Sequence, residues 1–335
     1  MNNFIMPAEW EKHKATWLAW PYDTITFPDR VQKIEKLYAT IISHLCTGEI
    51  VNLLVIDDDM QDRVTKLLLS HQVNIEQVIF YQVDYADVWM RDYWPTFVTN
   101  NNNAAWIKWR YNAYGNKFPD LLKDDLSFSK LNEKIRISIQ PNIFMEGGAV
   151  EVNGAGTLLT TEECLLNPNR NPQLDKKQTE KYLKNYLGVK NIIWLKNGLI
   201  NDHTDGHIDE IARFVNPNTI ICAYEENPNN ANFEILKQNF EILQAAVDQN
   251  NKPFNIIKLP IPEFYYDNEE LAPASYANFY IANKVILVPT FEHKNDLLAL
   301  DIIQKLFPNR TAVGINCTDL IYGGGTIHCI TQQEG

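Results

Sequence analysis

Two stretches hold the side chains best suited to covalent chemistry. Gly323-Gly324-Gly325 is followed, four residues later, by Cys329. Three consecutive glycines are costly inside a helix or strand and suit backbone that turns sharply or lets a ligand approach. A cysteine beside such a turn is a candidate nucleophile. The plainer alternative is a glycine turn leading into a buried strand cysteine. The second stretch, His203-Thr204-Asp205-Gly206-His207-Ile208-Asp209, sets a candidate proton-transfer histidine two residues before a carboxylate. His203 and His207 are also four apart, a spacing that can bind metal from a helix, with Asp209 or Asp92 as a third ligand. The Thr-Asp-Gly between them favours a turn.

Further carboxylates stand in other loops. Asp87, Trp89, Arg91 and Asp92 share one, and Glu146-Gly147-Gly148 opens another. Tyr265, Tyr266 and Asp267, with Tyr276-Ala277-Asn278, form a third. Singly, Arg91-Asp92 reads as a surface ion pair of little worth, and Glu146 reads equally well as an exposed carboxylate. His328 would face away from Cys329 on a strand and reads as structural. As a set, one thiol, one histidine and several carboxylates are more specific. Carboxylates oppose thiolate formation unless the substrate is itself a cation. A guanidinium fits: it is planar, with paired N–H donors that match carboxylates. Its carbon is a poor electrophile because its charge is delocalised. Carboxylates that fix the cation and a histidine that protonates departing ammonia answer both difficulties.

The elements that must position these loops recur. Strand-like segments begin at Val78, Ile135, Asn191, Phe254 and Thr311. The first four are each followed by a polar loop and a hairpin, turning at Asn100–Asn103, Asn153-Gly154, Asn216-Pro217-Asn218 and Asn283-Lys284. Helical spacing marks residues 178–187, 233–247 and 297–306, with a weaker signal over 121–131. Upstream, a Trp17 strand, a helix capped by Asp29, a buried strand at 51–56 and a helix at 61–71 are expected, and the first two are placed to complete the fifth unit. Such a period, with ends that complete one another, predicts a closed array in a single domain, 1–335. An open two-layer α/β protein is the alternative.

The chain has 335 residues, 45% hydrophobic and 21% charged, with a net charge of −12. This disfavours nucleic acid and anionic membranes and suits a cationic ligand. Five cysteines, an odd number without a C-x-x-C pair, give no disulfide framework or thiolate zinc site. No signal peptide or membrane-spanning apolar run is expected, so a reducing cytoplasmic setting follows.

These pieces, in this order, resemble the agmatine deiminase branch of the guanidine-modifying enzymes, with which bacterial-type peptidylarginine deiminases are grouped. The resemblance runs from Met6-Pro7-Ala8-Glu9-Trp10 through the Asp87–Asp92 loop, Glu146-Gly147-Gly148 and Gly206-His207-Ile208-Asp209 to Gly323–Gln333. It implies an α/β fold: a five-fold pseudosymmetric α/β propeller (pentein) of ββαβ-like repeats. It implies Cys329 as nucleophile and His207 as general acid, then base. Asp92 and Asp209 would grip the guanidinium, with Glu146 beside the histidine. Trp89 would lie near the entrance and Asn278 in the pocket wall, with Asp87 and Gly325 as further substrate contacts. Agmatine would become N-carbamoylputrescine and ammonia through a Cys-bound thiouronium, in polyamine synthesis or agmatine breakdown. No metal or organic cofactor is implied, and a homodimer is compatible. Three positions depart from the family pattern: Tyr93-Trp94-Pro95, Thr326, and His203, where an acidic residue commonly holds the substrate's distal amine. Asp202 or Asp205 is placed to take over that role. The other readings are deimination of peptidyl or free arginine, a metal-dependent hydrolase built on His203, His207 and Asp209, and a non-catalytic binding propeller.

Overall fold

The computed structural model describes residues 4–100, 103–131 and 137–335. In chain order come β1 (Ala15–Ala19), the helix Val31–Leu45, β2 (Ile50–Val55), the helix Asp58–Ser70 and β3 (Val78–Gln82). Then follow β4 (Thr96–Thr99), β5 (Ala104–Ile107), β6 (Ile137–Ile139), β7 (Glu151–Val152) and β8 (Thr157–Thr161). The helix Lys176–Leu187 leads to β9 (Asn191–Leu195), β10 (Ala212–Asn216) and β11 (Thr219–Tyr224). The helix Phe233–Ala245 leads to β12 (Asn255–Pro260), β13 (Tyr280–Ile281) and β14 (Val285–Thr290). The helix Asp296–Leu306, β15 (Thr311–Asn316) and β16 (Gln332–Glu334) end the chain. No helix of the described residues is long and apolar enough to cross a membrane.

Among the described residues the strands form five sheets. Four share one plan: an antiparallel hairpin whose second strand pairs in parallel with the strand that follows. In three of these four the connection includes a full helix, buried on one face. Between β5 and β6 the weak signal resolves into short helical turns at Pro119–Lys123, Asp124–Ser127 and Phe128–Leu131. The hairpin turns use local chemistry. The Asn153 side chain accepts the amides of Ala155 and Thr157 at 3.0 and 2.9 Å, which closes the β7–β8 turn.

The fifth sheet is made by the two chain ends. β16 runs antiparallel to β1, pairing Trp17 with Gln332 and Ala15 with Glu334, and β1 runs parallel to β2. The Trp17 strand and the following helix therefore do complete the last unit. β3 is a fourth strand, parallel to β2. This corrects the period: β2, not the Val78 segment, holds the place that β6, β9, β12 and β15 hold in their sheets. The second counted segment starts at Ile135, outside the described residues, and the strand is described from Ile137. Asp29 does not cap the first helix. It adopts a left-handed conformation, φ 57°, and the cap position falls on Arg30.

Joining the ends brings a buried ionic network under the final turn. Glu9 Oε1 accepts Arg213 Nη2 at 2.9 Å and the Ile281 amide at 2.8 Å. Glu9 Oε2 meets His328 Nε2 at 2.8 Å and Arg91 Nη2 at 3.3 Å. Arg91 also holds the Gln333 side chain at 2.7 Å, and its amide donates to Cys329 O at 3.0 Å. Arg91 is thus buried and ties three segments together, which corrects the surface ion-pair reading. Burial alone would raise the Glu9 carboxyl, but Arg213, His328 and Arg91 hold it well below the usual range. Removing one member strands the others as buried charge. Glu9→Gln is expected to lower the unfolding free energy by about 3–5 kcal/mol at neutral pH, measured by urea denaturation. A change below about 1 kcal/mol would show that the network is not what joins these segments.

Candidate active site

Three of the loops singled out above, those holding Asp87 to Asp92, His203 to Asp209 and Gly323 to Cys329, converge on one cavity of about 230 Å³. Cys329 is 4% exposed and lies in a turn rather than a strand. Asn278 holds it from behind. Its Nδ2 donates to Cys329 Sγ at 3.2 Å, and its Oδ1 accepts Thr326 Oγ1 at 2.8 Å and the His328 amide at 3.0 Å. Thr326 thereby fixes the amide that supports the thiol.

Facing Cys329 are two neighbouring carboxylates. Its Sγ lies 3.8 Å from both Asp209 Oδ2 and Glu210 Oε1. Residues Ile208–Glu210 form a single 3-10 turn, so both side chains swing to the same side. Asp209 Oδ2 is held by His328 Nδ1 at 2.6 Å, while Asp209 Oδ1 and Glu210 Oε2 are buried without partners. Because the 326–330 segment is a turn, His328 reaches under the site and props Asp209 instead of facing away.

Asp92 stands beside His207, with Oδ1 3.6 Å from the ring Nδ1. The Gly148 amide donates to Asp92 Oδ1 at 3.1 Å. A Cβ on Gly148 would lie 2.6 Å from His207 Nδ1, 2.9 Å from Asp92 Oδ1 and 3.0 Å from Asp209 Oδ2. Glycine is required there because three side chains share the space. His207 is 1% exposed and neither ring nitrogen has a hydrogen-bond partner. Ligand atoms of Glu146, Cys164 and His207 lie within 4.8 Å of one another. Glu146 is fixed by Arg170 Nε at 2.7 Å, leaving its Oε2 unpartnered.

Electrostatics follow from burial and crowding. Burial, then Asp209, Glu210 and Asp92, push the Cys329 thiol well up. Burial pushes Asp92 up to about 6, against the pull of His207. Burial opposes a charged His207, but Asp92, Cys164 and Asp209 outweigh it and hold the imidazolium well above the usual range. Glu210 is raised by burial, Asp209 and Asp202. Asp209 stays below its ordinary value, because His328 and His207 overcome burial.

Of the residues expected from sequence, Cys329, His207, Asp92, Asp209, Asp87, Trp89 and Gly325 line the cavity. Trp89 is pinned by its indole N–H to Asp87 Oδ2 at 2.9 Å. A Cβ on Gly325 would meet both Cys329 and Trp89 at 3.0 Å. Asn278 and Glu146 stand behind the lining, one supporting the thiol and the other beside the histidine. Asp205 is taken up by Arg170, Asn169 and Lys117, which removes it as an anchor for a distal amine. Asp202 does line the cavity, while accepting the Thr204, Gly206 and His207 amides of its own loop. His203 lies exposed at the rim, and the metal set of His203, His207 and a carboxylate does not form among the described residues. Glu210 was not singled out from sequence, although its position directly after Asp209 was the available signal.

The comparisons with known proteins follow this geometry. Residues 5–334 match the model of the Porphyromonas-type peptidyl-arginine deiminases. The chain belongs to this family. A Legionella pneumophila (strain Paris) relative, named "Putative agmatine deiminase", is 39% identical over 335 residues, covering 99% of this chain and 95% of its own. The solved agmatine deiminase of Enterococcus faecalis superposes with a TM-score of 0.91 at 30% identity, over 99% of this chain and 96% of its own. A substrate-bound Campylobacter jejuni agmatine deiminase gives a TM-score of 0.88 at 30% identity, over 99% and 96%. Family membership, and an α/β fold that matches solved agmatine deiminase structures, are thereby shown.

The charge arrangement predicts sluggish thiol chemistry in the free protein. Cys329 should alkylate with iodoacetamide more slowly at pH 8 than an ordinary exposed thiol, and Glu210→Gln should speed it up. Unchanged or slower alkylation in Glu210→Gln would contradict the assignment of Glu210 as a repelling charge.

Proposed function

We propose that this chain hydrolyses agmatine to N-carbamoylputrescine and ammonia, as a single catalytic domain over 1–335 whose five sheets surround the site as an α/β propeller. The observation that carries the reading is a cavity rich in acceptors and poor in donors. Among the described residues five carboxylates line it and no lysine or arginine does, and Asp209 Oδ1 and Glu210 Oε2 are buried without partners. A planar cation with several N–H donors satisfies these atoms and neutralises their charge. The names of the solved relatives support the same substrate, and a cytoplasmic setting suits the free thiols.

In this mechanism Asp92 and Asp209 grip the guanidinium. The substrate's charge offsets the carboxylates around Cys329, so the thiol ionises to bulk solvent as the cation binds. Sulfur attacks the guanidinium carbon to form a tetrahedral adduct. His207, held protonated, gives its proton to the departing nitrogen, and ammonia leaves. The thiouronium remains on Cys329. Neutral His207 then takes a proton from water, the hydroxide adds to the same carbon, and the C–S bond breaks as the adduct's hydroxyl proton passes to the departing sulfur, which restores the thiol and releases the neutral ureido product. Glu146 stabilises the imidazolium from behind. Asp202, at the cavity wall, is the group placed to receive the distal amine in place of the acidic residue replaced by His203.

Ammonia release from agmatine, free arginine and a C-terminal peptidyl arginine, measured side by side, tests the reading. Release is expected to favour agmatine and to fall on the order of 10³-fold or more in Cys329→Ser. Its kcat/KM should decline below about pH 6 as Asp92 gains a proton. Selective release from arginine or the peptide would keep the chemistry and overturn the substrate. Full activity in Cys329→Ser would overturn the mechanism.

A further inference from the structure

A strained segment stands beside the cavity without a part in the chemistry above. Ala113, Tyr114, Gly115 and Asn116 all have positive φ, at 51°, 57°, 80° and 62°. Four successive residues in this region form one turn of left-handed helix, a conformation that residues with a Cβ adopt at a cost. Surrounding contacts impose it. Asn112 Oδ1 accepts the Gly115 amide at 2.9 Å, Asn112 O accepts the Asn116 amide at 2.6 Å, and Asn112 Nδ2 donates to Asn169 O at 3.0 Å. Strain held this firmly beside a reactive site points to a function.

The turn delivers one side chain. Tyr114 is 5% exposed and lines the cavity. Its hydroxyl donates to Asp92 Oδ2 at 2.8 Å, and its ring lies 6.0 Å from the His207 ring. Burial and Asp92 hold the phenol well above its usual acidity range, so it remains a donor. Asp92 is therefore clamped on both oxygens, by Gly148 N on Oδ1 and by Tyr114 on Oδ2.

We propose that Tyr114, presented by the left-handed turn 113–116, is a positioning residue that orients Asp92 for the guanidinium. The inference rests on the deiminase reading. The charged and titratable groups facing Asp92 are His207 and Asp209 from the 203–210 loop, Glu146 from the neighbouring turn, Cys329 from the C-terminal turn, Tyr111, and Tyr114 itself. Arg91, on the same short helix Met90–Tyr93, points away to Glu9 and Gln333. Of these groups, His207 and Tyr114 favour the charged form of Asp92.

Tyr114→Phe keeps the ring packing and deletes only the hydroxyl. With agmatine it should raise KM about 10- to 100-fold, the range for a hydrogen bond to a charged group, with a smaller change in kcat. The acidic limb of kcat/KM should move to higher pH, because Asp92 loses a contact that favours its ionised form. Asn112→Ala, which loosens the turn without touching the cavity, should shift KM and the limb in the same direction. The double variant should fall short of the product of the two single effects. Unchanged KM and an unmoved limb in folded Tyr114→Phe would overturn the proposal. So would a variant that loses only kcat or only thermal stability, since that is a packing role. Wild-type protein that releases no ammonia from any guanidine would remove the deiminase reading itself, and this proposal with it; an active wild type separates the two failures.

Discussion

The structure is organised around buried negative charge that lacks a cation. Asp92, Asp209 and Glu210 stand around one thiol, and each is almost wholly buried. Taking a carboxylate out of water costs several kcal/mol unless a partner compensates it. Within the protein the compensation is partial. His328 serves Asp209 and His207 serves Asp92, while Asp209 Oδ1 and Glu210 Oε2 are buried unmet. The strain that remains appears as a thiol and two carboxyls displaced toward their neutral forms. A cation of the right shape would offset the charge around all three at once, which is how the proposed mechanism couples substrate binding to ionisation of Cys329.

Holding such a set in place requires that distant parts of the chain meet. Cys329 lies three residues before the strand that pairs the C-terminal end with β1. Glu9, near the other end, fixes Arg91, Arg213 and His328 simultaneously. His328 passes this anchorage on to Asp209, and Arg91 passes it to the Cys329 backbone. The closing sheet therefore sets the distance between nucleophile and carboxylates. The ionic network beneath it supplies orientation rather than reactivity.

Much of this was legible in the amino-acid order. Hairpin turns at Asn153-Gly154 and Asn283-Lys284, and helices with one apolar face, follow local rules that the fold did not override. Cys329, His207, Asp209 and Glu146 stand out in the sequence as candidates because they fall in glycine-bearing loops. What was hidden depended on backbone geometry that no period reveals. Glu210 follows Asp209 directly, and alternation would send it to the other face; a 3-10 turn brings both inward. His328 seemed to face away until the expected strand proved to be a turn. Tyr114 was not singled out, because nothing local announces four left-handed residues when only one of them is glycine. The extra strand β3 displaced the first unit because β2 and its helix read as a prelude rather than as part of the closing sheet.

Calorimetric binding of agmatine and of its neutral ureido counterpart to Cys329→Ser, in buffers of differing ionisation enthalpy near pH 6, tests the central claim directly. The account predicts that agmatine binds much more tightly than the ureido compound and releases protons on binding, as Asp92 surrenders its proton to the incoming cation. Equal affinity for the two ligands, with no proton released, would show that the buried carboxylates are not awaiting a positive charge.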